Sequence, residues 1–132
     1  MYEVKPRNGD ELHPLVGLGA YNRCFIRAQS DISCAMEDEA GRCIAGLVGW
    51  QADGLAMVDV LWVEEAFRGQ GLGTRLLRFA EEAGRTRGAR LMELNTFGFQ
   101  APDFYEKQGY RRFAALEGVI GQYGHYFYVK EL

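Results

Sequence analysis

A chain of 132 residues has room for one sizeable core and not for two, so a single domain spanning residues 1–132 is expected. Its 48% hydrophobic and 25% charged residues are those of an ordinary globular protein, and a net charge of −3 gives no basic footprint for nucleic acid. There is no apolar run of about 18 residues to span a membrane. Met1-Tyr2-Glu3-Val4-Lys5-Pro6 lacks the apolar centre of a signal peptide, so a cytoplasmic location is expected.

Tyr2 to Lys5 reads as a short first strand, and Pro6-Arg7-Asn8-Gly9-Asp10 breaks it. Asp10 is a candidate cap for a helix through Leu12, Leu15, Val16 and Leu18, bent or broken at Gly17 or Gly19 before Phe25. Ile32, Cys34 and Met36 then alternate with Ser33, Ala35 and Glu37. A turn over residues 38–42 and a strand from Cys43 to Gln51 make this an antiparallel hairpin. Cys24, Cys34 and Cys43 fit neither a disulfide framework nor a zinc pattern. They are expected to be reduced, packed thiols, and no metal site is expected.

Asp53-Gly54 is the next turn signal. Leu55 to Glu64 reads as a covered strand in mid-sheet, with Met57, Leu61 and Val63 on one face and Val58, Val60 and Trp62 on the other. Gly71 to Arg87 has the periodicity of an amphipathic helix. Leu72, Leu76, Ala80 and Ala83 form its stripe, Leu77 and Phe79 widen it, and Gly88 stops it. Arg78–Glu82 and Glu81–Arg85 are candidate i,i+4 pairs. Leu91 to Thr96 is a strand, so strand, helix and strand imply a parallel pair. A short helix over Pro102 to Gln108 closes at Gly109. Tyr110 to Leu116 and His125 to Lys130 form a last hairpin-like pair.

Between the covered strand and the amphipathic helix stands Arg68-Gly69-Gln70-Gly71-Leu72-Gly73. Its glycines remove Cβ atoms where a ligand would touch backbone. The first turn of the helix leaves N–H groups unpaired, and the helix dipole favours an anion there. This is a socket for phosphate oxygens, with Arg68 beside it. A nucleotide P-loop would need Gly-Lys-Ser/Thr, and the chain has Gly73-Thr74-Arg75. A dinucleotide fold would place its glycines after the first strand. The pyrophosphate of coenzyme A is the third option.

Phe99-Gln100-Ala101-Pro102-Asp103-Phe104-Tyr105-Glu106-Lys107-Gln108-Gly109-Tyr110 follows about 30 residues later. Together the two segments resemble the GNAT (Gcn5-related N-acetyltransferase) superfamily. Arg68, Gly71 and Gly73 match its pattern Arg/Gln-x-x-Gly-x-Gly/Ala. Ala101, Tyr105, Gly109 and Tyr110 match Ala-x-x-x-Tyr-x-x-x-Gly-Phe/Tyr. The resemblance is strongest from Cys43 to Leu132 and points to a short bacterial member. It implies an α/β fold with a mixed, mostly antiparallel sheet, a central splayed parallel strand pair, and helices on both faces.

The resemblance also implies acetyl-CoA as cosubstrate, and it implies roles for residues. Main chain near Trp62 and Val63 would pair with pantetheine, and Arg68, Gly69, Gln70, Gly71, Leu72, Gly73 and Thr74 would hold the pyrophosphate. Tyr105 matches the tyrosine that protonates the departing thiolate, as a positioned phenol can. Many members carry Asn where this chain has Gly98, so that side-chain contact is either missing or supplied by Gln100. Members often place a base where this chain has Asp59. By strand alternation Asp59 shares a face with Met57, Leu61 and Val63, where burial would raise its pKa. An Asp bonded to nearby backbone or to Arg is the other reading, and Glu93, Glu64, His125 or water are the remaining bases. The expected reaction is direct acetyl transfer to a primary amine of a small molecule. A protein amine, or a non-catalytic acyl-CoA-binding module, are the alternatives. The acceptor pocket is expected around Ala20 to Ser30. Dimers are common in the family, so the resemblance alone leaves a homodimer open.

Overall fold

The computed structural model describes residues 1–26 and 28–132. Its strands are β1 Gln29–Asp31, β2 Cys34–Glu37, β3 Cys43–Ala52, β4 Leu55–Val63, β5 Leu91–Phe97, β6 Arg111–Ile120 and β7 Tyr123–Glu131. They form one seven-stranded sheet in the order β1-β3-β4-β5-β7-β6, with β2 also on β3. Every pairing is antiparallel except β4 with β5. The helices are α1 Gly9–Leu12, α2 Leu18–Asn22, α3 Leu72–Thr86 and α4 Pro102–Lys107.

The crossover through α3 makes β4 and β5 parallel, as the strand–helix–strand pattern requires. Leu76, Leu77, Ala80 and Gly84 are the buried positions of α3. They join Ala56, Val58, Met92, Leu94 and Tyr128 of the sheet in one core. Phe79 does not widen that stripe; it is 60% exposed. Nor do the expected i,i+4 pairs form. Arg85 bonds Glu82, while Glu81 turns inward to Lys130 Nζ at 3.1 Å and accepts from the Tyr110 hydroxyl at 2.7 Å. A half-buried position draws Glu81 because two donors from the other end of the chain wait there. Gly88, at φ +104°, closes the helix as expected.

The longest departure from alternation lies in β4. Val48 pairs with Val60 and Gly49 with Val58, so Asp59 is an extra residue with no partner across the ladder. Such a bulge reverses which side later residues face. Ala56 and Val58 are buried before it, whereas Leu61 and Val63 pack on the core after it. Val60 and Trp62 are exposed instead. The expected grouping of Met57 with Leu61 and Val63 is therefore overturned, and so is the expectation of cover on both sides. Asp59 itself is exposed.

The N-terminal segment also departs from expectation. Tyr2 to Lys5 forms no strand. Asn8, not Asp10, caps α1, its Oδ1 accepting from the N–H groups of Asp10 and Glu11 at 2.9 and 3.3 Å. Pro14 cannot donate to a continuing helix. The chain tightens into a 3₁₀ turn at His13–Leu15 and runs extended at Val16 before α2. All residues from Met1 to Phe25 are exposed. The polar β1, which carries no alternation to reveal it, pairs with the end of β3. Of the thiols only Cys34 is partly packed, with its pKa raised by burial, while Cys24 and Cys43 are exposed.

Candidate active site

β4 and β5 pair only from Leu55 to Met57 against Leu91 to Glu93. Beyond those positions β4 stays on β3 and β5 stays on β7. The two parallel strands therefore part toward their C-terminal ends, leaving β4 around Trp62 and Val63 without a strand partner on the side facing β5. A gap of this kind is where α/β sheets offer unpaired backbone to a ligand.

The glycine loop stands at the wide end. Gly69 and Gly71 both have φ +78°, a conformation that residues with a Cβ adopt at a cost of about 1–2 kcal/mol. Gly71 occupies the N-cap of α3 and supplies no side-chain cap. The N–H groups of Leu72, Gly73 and Thr74 thus point out of a fifteen-residue helix without intrahelical partners. A Cβ on Gly73 would lie 3.4 Å from the Phe104 ring, so this glycine lets α4 approach the loop. The Arg68 guanidinium stacks 4.4 Å over the Trp62 ring, and its Nε donates to the Val63 carbonyl at 2.8 Å. Gln70 is exposed on the same turn. Several N–H dipoles and one cation converge, which is a setting for phosphate oxygens.

Tyr105 lies across the gap on α4. Its ring is packed among Phe104, Tyr110 and Tyr128 at centroid distances of 5.2, 6.0 and 6.3 Å. The residue is only 6% exposed. The hydroxyl has no hydrogen-bond partner among the described residues. Burial pushes its pKa up to about 12. A phenol so placed stays protonated at neutral pH and has a free proton to give.

Gln100 folds back on its own turn: Oε1 accepts from Phe97 N–H at 2.8 Å and from Thr96 Oγ1 at 3.3 Å, which leaves the side-chain nitrogen available. At Gly98 a Cβ would come within 3.4 Å of Gly124 N and of the Tyr126 ring. β7 crosses close to this position.

The candidate bases are dispersed. Asp59, beside exposed Val60, belongs to the face opposite Val58 and borders the parting strands. Glu93 is half-buried opposite Met57 and Val129. Glu64 is engaged by Arg42 at 3.0 Å. His125 bonds Asn95 at 3.0 Å and lies between the rings of Phe97 and Phe127, at 4.5 and 4.4 Å. This aromatic group on β5 and β7 escaped the sequence reading as a unit, although the strand register that assembles it was implicit in the alternation of the C-terminal tyrosines. Of the expected acceptor stretch from Ala20 to Ser30, position 27 lies outside the described residues, and residues 20–25 are exposed. The described residues include no cluster of metal-ligating side chains and no helix long and apolar enough to cross a membrane.

The sheet with one splayed parallel pair, the glycine-capped helix and the tyrosine opposite it define an acyltransferase of the GNAT type. A family profile described as an acetyltransferase (GNAT) domain matches residues 23–112, and the chain belongs to that family. It is 40% identical over 98 residues to the blasticidin-S acetyltransferase of Streptomyces morookaense, covering 71% of this chain and 70% of that one. An acetyltransferase crystal structure from Bacillus cereus superposes with a TM-score of 0.84 at 27% identity, covering 100% of this chain and 98% of the other. One from Agrobacterium tumefaciens does so with 0.83, at the same identity and coverage.

Proposed function

We propose that this acetyltransferase takes the acetyl group from acetyl-CoA and gives it to a primary amine of a small molecule by direct attack. The observation that carries this reading is the Tyr105 hydroxyl: protonated and unbonded, on the far side of the strand gap from the glycine-capped helix. In this reading pantetheine lies along the main chain of Trp62 and Val63. The N–H groups from Arg68 to Thr74, with Gly69, Gln70, Gly71, Leu72 and Gly73 between, receive the pyrophosphate. The Gln100 side-chain nitrogen is a further donor to the cofactor.

The amine nitrogen forms its bond to the acetyl carbon as the carbon–sulfur bond breaks. Tyr105 gives its proton to the sulfur, and the amine loses one to Asp59 or to water. Exposure of Asp59 suits an ionised acceptor in contact with solvent better than a buried base. The likeness to a blasticidin-S acetyltransferase favours a small, antibiotic-like amine over a protein one.

Titration calorimetry tests the cofactor half of this reading. Acetyl-CoA should bind the wild type and fail to bind Gly71→Asp, whose carboxylate would stand at the anion socket; a Cβ at 71 meets nothing within 4 Å but is strained at φ +78° by about 1–2 kcal/mol, so circular dichroism should accompany the titration to show that the variant is folded. A panel of small amines, followed by release of free thiol, tests the acceptor half. A well-folded wild type that ignores acetyl-CoA would sink the proposal.

A further inference from the structure

The helix that carries Tyr105 has six residues, Pro102–Lys107. A helix that short has no stability of its own in water, so the contacts it makes decide how it sits. One side chain of the sheet touches two of its successive residues. The Tyr128 ring, fully buried, lies 6.3 Å from the Tyr105 ring, and the Tyr128 hydroxyl donates to Glu106 Oε2 at 2.7 Å. Successive helical side chains point about 100° apart. Holding both from one point on β7 therefore fixes the rotation of α4 about its own axis.

Arg112 on β6 gives that hold its direction. Its Nε and Nη2 donate to the Tyr128 oxygen at 3.2 and 2.9 Å, and Nη2 also reaches Glu106 Oε2 at 3.3 Å. The guanidinium is itself seated 3.7 Å over the Tyr126 ring. Arginine has only donors, so the Tyr128 proton must turn to the Glu106 carboxylate, a charge-assisted bond. The Arg112–Glu106 pair is too exposed, at 37% and 50% of the side chains, to add much stability. Its consequence is orientation. A roll of about 10° moves a group about 7 Å from a helix axis by roughly 1 Å, and a shift of that size can cost on the order of 100-fold in rate. We propose that Tyr128, steered by Arg112, is a positioning residue that aims the Tyr105 hydroxyl through its bond to Glu106. This rests on the reading of Tyr105 as the proton donor to the thiolate.

Nuclear magnetic resonance of the seven tyrosines, labelled with carbon-13 at the ring carbon that bears the hydroxyl, tests this without an acceptor amine. Tyr105→Phe identifies the Tyr105 signal by its absence. Acetyl-CoA should shift that signal in the wild type. In Tyr128→Phe, which keeps the ring against Tyr105, calorimetric affinity for acetyl-CoA should stay within about twofold while the shift falls by more than half. Glu106→Ala, a change at an exposed position, should do the same. Glu106→Gln should keep the shift, because its amide oxygen still accepts from Tyr128. A full shift in Tyr128→Phe or Glu106→Ala overturns the inference, and so does its loss in Glu106→Gln. Weakened acetyl-CoA binding in Tyr128→Phe overturns it as well, since the bond would then support the pocket as a whole. A wild-type Tyr105 signal that ignores bound acetyl-CoA would instead remove Tyr105 from the thioester, and the inference would fall with that reading.

Discussion

The side-chain amide of Gln108 donates to Thr74 Oγ1 at 3.1 Å, joining the end of the helix that carries Tyr105 to the first turn of the helix that follows the glycine loop. Two groups proposed to act on opposite ends of one cofactor are thereby fixed to each other rather than separately to the sheet. A neutral hydrogen bond of this kind is worth about 1 kcal/mol. Gln108→Ala should therefore lower the melting temperature by about 3–5 °C, and should lower kcat/KM for acetyl-CoA if this bond aligns the two helices. Steady-state kinetics beside a melting curve would check this, and unchanged kinetics would mean that packing alone aligns the two helices.

Gly73→Val tests the packing half of the same relationship. The Cβ would already touch Phe104 at 3.4 Å, and the added methyls have no room unless α4 retreats. Overpacking of this order costs about 1–3 kcal/mol. A lowered melting temperature together with weakened acetyl-CoA binding is the expected outcome.

Tyr105→Phe removes the proton and keeps the ring among its aromatic neighbours. Turnover should fall on the order of 100-fold while calorimetric affinity for acetyl-CoA is retained. Since the phenol pKa is raised to about 12, wild-type kcat should show no downturn from this group below pH 11. A downturn near pH 9 that vanishes in the variant would contradict the assignment.

Stability at high pH follows from the same burial. Tyr105, and Tyr110 with its bond to Glu81, keep their protons in the folded protein well above the unfolded tyrosine value of about 10. A raised folded pKa stabilises fully below the unfolded value and loses its contribution as pH climbs through the folded one. Denaturant midpoints should be level from pH 8 to about 9.5 and then decline, and Tyr110→Phe should soften that decline.

Glu81 holds the last strand to α3 through Lys130 and Tyr110. Its removal leaves a half-buried ammonium without its partner, and Glu81→Ala should cost about 2–4 kcal/mol. Pairing Glu81→Leu with Lys130→Met should recover much of the loss, as chemical denaturation of the three proteins would show.

The elements that the sequence revealed were those with a strong period. Leu76, Leu77 and Ala80 recur at helical spacing and are buried as expected; the glycines at 69, 71 and 73 announced a backbone whose left-handed turns and close helix approach the structure bears out. What stayed hidden depended on partners far away in sequence. Glu81 looked like one side of a surface pair because Lys130 lies 49 residues on. Asp59 looked buried because alternation assumes an unbroken ladder, and the bulge is visible only when β3 is laid beside β4. The N-terminal segment looked like one helix because Leu12, Leu15, Val16 and Leu18 fall at helical spacing, but Pro14 breaks it into short turns.

The extra residue in β4 has a bearing on how this site can change. Before it, the even-numbered side chains support the core; after it, the odd-numbered ones do. One strand thus packs on the core in two phases, with the switch at Asp59. Deleting Asp59 would restore an unbroken ladder and leave Leu61 and Val63 on the core, whereas pairing Asp59 in step with Val48 would slide Trp62 inward and turn Leu61 and Val63 to solvent.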